Sequence, residues 1–267
     1  MKTKNRRVLR RKGKNKQFVK SLNLVGANAA GLSSKFDSFD KLLSEIIPGV
    51  FFIQETKLRK EGKIKTENAS KYQIYERLRK SSRGGGLALG VHHDLKPAWV
   101  GEGENEIESL SVEICVEEDF RIRCVAAYGP QEAGPSMEEK LRFWAHLDAE
   151  VQAAENNGTG FILQMDANLW AGPELIPGDP NKQNVNGKLF QQFLQRNSHL
   201  VCVNSLEMCE GLITRIRKTR NSLERSILDF FIVCDKVKPF IHKMIIDESR
   251  QHVLTNFNPI RTGGESN

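Results

Sequence analysis

The sequence predicts a mixed α/β sandwich, because strand-like runs outnumber helical ones and both hairpins and crossovers join them. Runs such as Val50–Gln54 and Gly160–Met165 are apolar on both faces, which is typical of strands in a covered sheet. Helices are expected in only three segments, 34–47, 136–156 and 187–197. The excess of strands and their mixed connections therefore favour a sandwich over a doubly wound parallel sheet.

Each element is assigned from its local pattern. The helix 34–47 carries apolar residues at helical spacing and ends at Pro48-Gly49, and Asn186 is expected to cap the helix 187–197. Residues 57–71 are interpreted as a surface loop, and 171–186 as a long loop of functional or mobile character. The predicted strands are Leu22–Asn28, Val50–Gln54, Tyr72–Leu78, Gly86–His92, Ser109–Val116, Phe120–Tyr128, Gly160–Met165, Leu200–Asn204, Leu228–Val233 and Lys243–Asp247.

Composition indicates one soluble domain kept in a reducing compartment. The 267 residues are 39% apolar and 27% charged, and no run approaches the roughly 18 apolar residues of a membrane helix. The N-terminus lacks an apolar signal segment, and the five cysteines form no CxxC pair. We expect an intracellular protein, nuclear or cytoplasmic and not secreted, with one domain at 21–256 and a frayed end at 257–267.

The positive charge is concentrated at the N-terminus. Residues 1–20 hold ten of the 40 Lys and Arg residues and none of the 33 acids, so residues 21–267 have a net charge of −3. A disordered basic tail of this kind can bind a polyanion or act as a nuclear localisation signal; a solubilising leader or a misjudged start is the alternative. The residues expected to contact nucleic acid are Arg6, Arg7, Arg10, Arg11, Lys12, Lys14 and Lys16.

Three carboxylates lie at or within apolar strand-like runs. Glu55 and Asp166 each follow such a run directly, and Asp229 lies inside a third. In open α/β folds, residues at strand ends line the sheet edge where ligands bind. A carboxylate within an apolar run needs a partner, because burial of an unpaired charge is costly. The three acids together suggest a metal and phosphate site.

Phosphodiester hydrolysis needs a cation, an activated water and groups that hold the phosphate. Mg²⁺, with Mn²⁺ as its substitute, takes one or two carboxylates plus waters, and Glu55 suits that purpose. Asp166 can orient or deprotonate the water, while Asn168 and Tyr128 can donate hydrogen bonds to phosphate oxygens. Asp229 can fix the orientation of a histidine.

Each of these residues also has an ordinary structural interpretation. Glu55 could cap the turn 56–59, and Asp166 and Asn168 could form an Asx-turn. Tyr128 could be a core residue with its hydroxyl at the surface. The order and spacing of the motifs decide between the two interpretations.

Eight short motifs follow one another along the chain. They are Asn28 with Gly31-Leu32, Gln54-Glu55-Thr56, Gly84-Gly85-Gly86, Tyr128-Gly129-Pro130, Asp166-Ala167-Asn168, Asn186-Gly187, Thr214-Arg215 and Ser226–Phe231. Taken in this order, they resemble the endonuclease/exonuclease/phosphatase superfamily, and above all the apurinic-endonuclease-like domain of non-LTR retrotransposons. The resemblance covers roughly residues 21–256, and only the full series is specific.

The resemblance implies a four-layered, DNase I-like α/β sandwich with two central mixed sheets flanked by helices. Glu55 would hold Mg²⁺ and Asn28 would support the metal, while Asp166 would handle the attacking water. Asn168 and Tyr128 would contact the scissile phosphate, and Asp229 would orient a catalytic histidine. The substrate implied is nucleic acid, above all DNA, and the product is a nicked strand.

The last motif departs from the family pattern. Where the family has Ser-Asp-His at the end of its final strand, this sequence reads Ser249-Arg250-Gln251-His252. His252 is the candidate catalytic histidine, and Gln251 replaces the preceding carboxylate. Alternatively, His252 is a surface residue and the site has no histidine.

Three functions are therefore open at this point. The first is a Mg²⁺-dependent endonuclease of retroelement origin, whose activity depends on tolerance of Gln251. The second is a catalytically weak remnant that binds nucleic acid through its basic tail. The third is a phosphoesterase acting on a small substrate, such as an inositol phosphate or a sphingolipid head group.

Overall fold

The computed structural model describes residues 22–78, 85–117, 120–218, 222–248 and 260–262. These residues form fifteen strands and three α-helices. The strands are β1 Leu24–Asn28, β2 Val50–Gln54, β3 Tyr72–Arg77, β4 Leu87–His92, β5 Ala98–Glu102, β6 Glu108–Glu117, β7 Phe120–Tyr128, β8 Gly160–Asp166, β9 Leu200–Cys202, β10 Cys209–Glu210, β11 Arg215–Lys218, β12 Leu223–Ser226, β13 Asp229–Cys234, β14 Met244–Ile246 and β15 Ile260–Thr262. The helices are α1 Phe36–Ile46, α2 Met137–Asn156 and α3 Val185–Arg196.

Two mixed sheets form the centre of the molecule. The first sheet has the order β10-β14-β15-β1-β2-β4-β3, and the second has the order β5-β6-β7-β8-β13-β9. The pairs β1–β2 and β7–β8 are parallel, whereas β8–β13 and β2–β4 are antiparallel. β11 and β12 form a separate hairpin.

Helices cover the outer faces of both sheets, so the molecule has four layers. Phe39 and Leu42 of α1 pack with Phe51 of β2 in one apolar cluster. Trp144 of α2 stacks near Phe190 of α3, and both belong to the larger cluster that fills the rest of the core. The predicted four-layered DNase I-like sandwich is confirmed.

Alternation along the strands decides which side chains point into the gap between the sheets. Phe52 packs edge-on against Phe231 across the gap, with ring centroids 5.8 Å apart. Two residues further along β2, Gln54 donates a hydrogen bond to Gln164, the β8 residue that is paired with Phe231. Because side chains alternate with a period of two, the next inward position on β8 is Asp166. The carboxylates at the strand ends therefore open onto the gap between the sheets.

Several short strands were missed from the sequence. β5, β11 and β12 are largely exposed, and β11 and β12 are also rich in charge, so all three lack the alternation of buried apolar and exposed polar residues that marks a half-buried strand. The predicted frayed end at 257–267 is wrong for Ile260–Thr262, since β15 pairs with both β1 and β14. Such a short strand depends on backbone pairing with its neighbours and has no sequence period of its own.

The helix cap predicted at Asn186 is wrong. Asn184 is the N-cap of α3, and its side chain accepts a hydrogen bond from the Gly187 amide at 2.8 Å. Asn186 is buried in the first turn, where its amide nitrogen donates to Pro130 O at 2.8 Å. Asn184 and Asn186 are two residues apart, and asparagine is favoured at the N-cap in general. The N-cap preference alone therefore does not show which of the two caps the helix and which is a buried hydrogen-bond donor.

Both long loops are packed against the body. In the loop 57–71, Leu58 and Ile64 are buried in the cluster beneath α1, so the segment is more than a surface loop. In the loop 171–186, Asp179 accepts hydrogen bonds from the Gly172 amide at 3.0 Å and the Asn181 amide at 2.9 Å.

All five cysteines are free thiols. None of the described helices has the length and apolar character that crossing a membrane requires.

Candidate active site

Five predicted site residues meet at one rim of the two sheets, which we call the active rim. Asn28 ends β1, and Glu55 follows the end of β2. Tyr128 and Asp166 end β7 and β8, and they are partners in the parallel register. Asp229 begins β13, directly opposite Asp166 in the antiparallel register. The structure therefore brings together carboxylates that are 174 residues apart in the chain.

Asn28 connects the two sheets at this rim. Its amide nitrogen donates to Asp166 Oδ2 at 2.6 Å and to Glu55 Oε1 at 3.3 Å. Its amide oxygen accepts the backbone N–H of Ala30 at 2.9 Å, which fixes the orientation of the group. One fully buried amide thus holds the two carboxylates together.

Glu55 sits in a strained turn and carries three side-chain partners. Its φ is 47°, a left-handed conformation that costs energy for a residue with a side chain. Lys57 Nζ lies 2.9 Å from Oε2, and the Tyr128 hydroxyl donates to Oε1 at 2.8 Å. Burial opposes ionisation, but hydrogen bonds from Lys57, Tyr128 and Asn28 outweigh it and lower the pKa of Glu55. Glu55 is therefore held as an anion.

Glycines behind the Glu55 turn explain the glycine run of the sequence. The amides of Thr56 and Lys57 donate to Gly86 O at 3.1 Å and Gly85 O at 2.9 Å. Gly86 has φ +90°, and a Cβ there would lie 2.7 Å from Thr56 Oγ1. Glycine is needed at this position for both its conformation and its small size. Gly84 lies outside the described residues.

Asp166 is buried next to other acids. Its side chain is 1% exposed, and burial raises its pKa to about 7 despite hydrogen bonds from Asn28 and the Asn168 amide. The Asn168 amide donates to Asp166 Oδ1 at 3.1 Å, so the Asx-turn foreseen as the ordinary interpretation is present. The turn and the site coexist, because the turn uses one carboxylate oxygen and Asn28 uses the other.

Asp229 is the least satisfied acid of the group. Burial and the charge of Asp166 raise the pKa of Asp229 well above its ordinary value. Neither of its carboxylate oxygens has a hydrogen bond of good geometry among the described residues, and the Thr214 hydroxyl lies against it. That hydroxyl oxygen accepts the Leu228 amide at 2.8 Å and the Asp229 amide at 3.2 Å. Thr214 thus fixes the backbone on which this buried carboxylate stands.

The turn after Tyr128 packs tightly against the turn after Asp166. The Gly129 amide donates to Asp166 O at 2.7 Å, and the Asn168 side-chain amide donates to Gly129 O at 2.9 Å. A Cβ on Gly129 would lie 2.5 Å from Ala167 O. Burial, with the charges of Asp166 and Glu55, raises the pKa of Tyr128, which keeps its hydroxyl protonated as a donor.

No protein-family model and no curated protein matches the chain. Solved structures do match it over most of its length. The endonuclease domain of TRAS1, a telomere-specific non-LTR retrotransposon, aligns with a TM-score of 0.66 and 16% identity over 90% of this chain and 97% of that one. The AP endonuclease LMAP from Leishmania major gives 0.69 and 16% over 92% and 88%.

A third match is the 3′ phosphatase NExo from Neisseria bound to a product DNA hairpin, with a TM-score of 0.69 and 16% identity over 90% of this chain and 98% of that one. The chain has the endonuclease/exonuclease/phosphatase fold. The resemblance seen in its motifs is thus confirmed at the level of the fold, and the identities are too low to carry an activity across.

Three basic side chains near the active rim, those of Lys35, Lys57 and Arg215, were not assigned a role from the sequence. Lys57 forms a salt bridge with Glu55. The ammonium group of Lys35 donates a hydrogen bond to Ala29 O at 2.7 Å. Burial and the charge of Lys57 lower the pKa of Lys35. The charge of Arg215 acts to lower the pKa of both Asp166 and Asp229. Two of them could have been found from the sequence, because Lys57 directly follows Gln54-Glu55-Thr56 and Arg215 belongs to the motif Thr214-Arg215.

The donor set of the fold suits a hard divalent cation. Within the described ranges, no group of three or more His, Cys, Asp or Glu residues could by itself hold a metal. Glu55 supplies an ionised carboxylate oxygen, and Mg²⁺ characteristically takes one or two carboxylates and completes its shell with water and phosphate oxygens. The site thus fits a metal held jointly by protein and substrate.

Two sets of predicted residues lie outside the described part of the chain. His252 and Gln251 belong to the segment 249–259, and the seven basic residues of the tail belong to 1–21. Their assignments stay predictions. His92 and His93, interpreted from the sequence as loop, end β4 and begin a short 3-10 turn.

Proposed function

We propose that the chain is a divalent-metal-dependent phosphodiesterase that nicks DNA and derives from a retroelement. The observation that carries this proposal is the single amide of Asn28, which joins Glu55 and Asp166 across the two sheets at 3.3 and 2.6 Å. A structural role alone does not require two acids from different sheets to converge beside a strained turn. Such convergence, with perturbed pKa values, is typical of a catalytic centre.

The protonation state of each side chain determines the role that we propose for it. Glu55, held ionised, would bind Mg²⁺ or Mn²⁺, with Asn28 fixing the carboxylate in place. The cation would neutralise charge that develops on the phosphate. Asp166, with a pKa of about 7, can orient a water and take its proton near neutral pH. The neutral Tyr128 hydroxyl and the Asn168 amide would donate to phosphate oxygens.

Asp229 is proposed to orient His252 as the catalytic histidine. His252 lies in sequence between β14 and β15, and the facing ends of those two strands are paired through Ile246 and Ile260. Ile260 is also the partner of Gly26, two residues before Asn28 on β1. Both described ends of the segment are therefore close to the active rim. Asp229, which lacks a partner of good geometry among the described residues, is a suitable acceptor.

DNA is proposed as the substrate for two reasons. The DNA-bound NExo phosphatase and the TRAS1 endonuclease domain share this fold along almost their whole length. The residues 21–267 have a net charge of −3, so the basic tail would supply much of the attraction to a polyanion. The tail and the acidic body would then play separate parts in binding and chemistry.

A plasmid-nicking assay tests the proposal. Conversion of supercoiled plasmid to the nicked form should require Mg²⁺ or Mn²⁺ and stop in EDTA. Asp166→Asn should lower the rate by about 10²-fold or more, as expected for loss of a general base. The matched control is Asp235→Asn, which is exposed and follows the other end of β13, about 20 Å away. Nicking that survives Asp166→Asn would refute the assigned site.

A catalytically weak remnant is the second candidate, favoured by Gln251 in place of the family's aspartate. The variant Gln251→Asp distinguishes the two. If the wild type binds plasmid without nicking it and Gln251→Asp nicks, the wild type is the remnant and His252 is placed as proposed. If the wild type nicks and His252→Ala abolishes nicking, the enzyme tolerates glutamine.

A further inference from the structure

Trp170 is exposed although its neighbours are buried. Its side chain is 45% exposed, whereas Leu169 and Ala171 on either side are 0% and 1% exposed. It follows Asn168 by two residues, so their Cα atoms are within about 7 Å. A large indole that the fold leaves uncovered therefore stands beside the active rim.

The backbone of Trp170 is fastened to the first turn of α3. Its amide donates to Asn184 Oδ1 at 3.1 Å, and its carbonyl accepts the Asn184 amide at 3.2 Å. Gly187 allows this close contact, since a Cβ there would lie 2.0 Å from Trp170 O. Asn184 also caps α3, so the helix start and the tryptophan share one anchor. The exposure of Trp170 is thus a property of a fixed backbone.

The other half-exposed tryptophan differs in its surroundings. Trp99 is 49% exposed and stacks on Tyr75, with ring centroids 5.2 Å apart and 19° between the planes. Among the described residues, no aromatic ring pairs with Trp170. Trp144, the third, is 2% exposed in the core. Trp170 therefore presents a π-face that has no ring partner in this part of the protein.

We propose that Trp170 is a stacking platform for a nucleobase that flanks the scissile phosphate. The inference rests on the proposed function, because it takes nucleic acid as the ligand of the active rim. Every base has a π-face, and a rigid aromatic side chain on a binding surface stacks with little loss of conformational entropy. Stacking adds contact with bases, whereas the basic tail attracts phosphates only.

Stacking predicts a defined pattern of binding losses. Trp170→Ala should weaken binding of a base-bearing single strand by about 5- to 150-fold, the usual contribution of one stacked base. Binding of an abasic strand of equal length should be unchanged. The salt dependence should also be unchanged for both strands, because no phosphate contact is removed.

Tryptophan fluorescence tests the contact without catalysis. In a Trp99→Phe background, Trp170 is the exposed indole and Trp144 is buried. This protein in EDTA is titrated with a dodecamer of deoxythymidylate, and in parallel with a dodecamer of abasic deoxyribose phosphates. We expect quenching by the first strand only. Equal quenching by both strands, binding of deoxythymidylate without quenching, or no binding of either strand overturns the proposal.

Two further variants separate stacking from folding and from catalysis. Trp170→Phe should retain most of the binding that Trp170→Ala loses, whereas a packing defect would be visible as a lower Tm in both. If plasmid is nicked but Trp170→Ala binds both strands as wild type does, the stacking proposal fails and the proposed function stands. If quenching is specific for bases but no metal supports nicking, the proposed function fails and stacking stands.

Discussion

Asp166 and Asp229 are directly opposite one another on the adjacent antiparallel strands β8 and β13, and both are buried. Burial raises the pKa of each, and nearby charges add to it: that of Glu55 at Asp166, and those of Asp166 and Glu55 at Asp229. A pair of this kind cannot carry two charges cheaply unless a cation is close. A metal ion or a protonated histidine at the active rim would therefore lower the pKa of both acids and favour their ionised forms.

The first prediction concerns stability and pH in the metal-free protein. The pKa of Asp166 is raised to about 7 in the fold, so its favourable contribution is complete below the pKa of the unfolded chain, about 4, and is lost as the pH rises through 7. Asp166→Asn removes that loss. We expect its Tm in EDTA to exceed that of the wild type by about 3 °C or more at pH 8, with little difference at pH 4.5.

The control for this experiment is Asp235→Asn, an exposed aspartate after the other end of β13. Its Tm difference from the wild type should not change between the two pH values. An Asp166→Asn effect of equal size at pH 4.5 and pH 8 would contradict a raised pKa.

The second prediction concerns the hydroxyl of Tyr128. Tyr128→Phe removes the 2.8 Å hydrogen bond to Glu55 and, with it, the neutral donor proposed for a phosphate oxygen. Nicking should fall by about 10- to 1,000-fold, since a donor to developing charge is lost. Tyr75→Phe is the matched control, because the Tyr75 hydroxyl has no hydrogen-bond partner among the described residues. Equal losses of activity in the two variants would argue against a role for the Tyr128 hydroxyl.

The third prediction concerns the backbone contact at Gly129. In Gly129→Ala the new Cβ would meet Ala167 O at 2.5 Å, so the turns after β7 and β8 must separate. We expect a loss of about 1–3 kcal/mol in the free energy of unfolding, measured in urea, together with loss of nicking. Gly101→Ala, where a Cβ has nothing within 4 Å, should change neither quantity by comparison. Retention of full activity by Gly129→Ala would show that the two turns need not touch.

The fourth prediction concerns the basic tail. Replacing its Arg and Lys residues by Gln should lower DNA affinity and flatten the dependence of log K on log salt by several units, because each phosphate contact contributes about 0.9. The rate of nicking at saturating DNA should be unchanged, since the proposed metal and water sites lie at the active rim and not in the tail. An unaltered salt slope would show that the acidic body binds DNA itself. The residues replaced are Arg6, Arg7, Arg10, Arg11, Lys12, Lys14 and Lys16.

Much of the fold could be predicted because its central strands have a clear pattern. Val50–Gln54 and Phe120–Tyr128 match the structure residue for residue, since the first is buried throughout, the second is buried from Ile122 onward, and turn signals flank both. Edge strands such as β5 and β11 could not be predicted, because their exposure removes the apolar alternation. Burial produces the pattern that sequence analysis detects, so elements without burial go unseen.

The convergence of the site residues was predicted from their order, but the contacts that tune them were not. The pairing of Lys57 with Glu55 depends on a left-handed turn at Glu55, which no propensity predicts for glutamate. The role of Asn186 as a donor to Pro130 depends on long-range packing, and local reasoning assigned it to a helix cap instead. Interactions between segments far apart in sequence determine both.

The place of β15 has a consequence for how the chain folds. Strand β1, the first of the described strands, lies between β2 and β15, so among the described residues its second edge pairs with 260–262 alone. During synthesis, the edge of β1 beside Asn28 therefore lacks this partner until residues 260–262 have emerged from the ribosome. Such an unpaired strand edge can pair with another chain. Because β1 and β15 are far apart in the sequence, their pairing also raises the contact order of the sheet. Completion of this sheet therefore waits for the synthesis of residues 260–262.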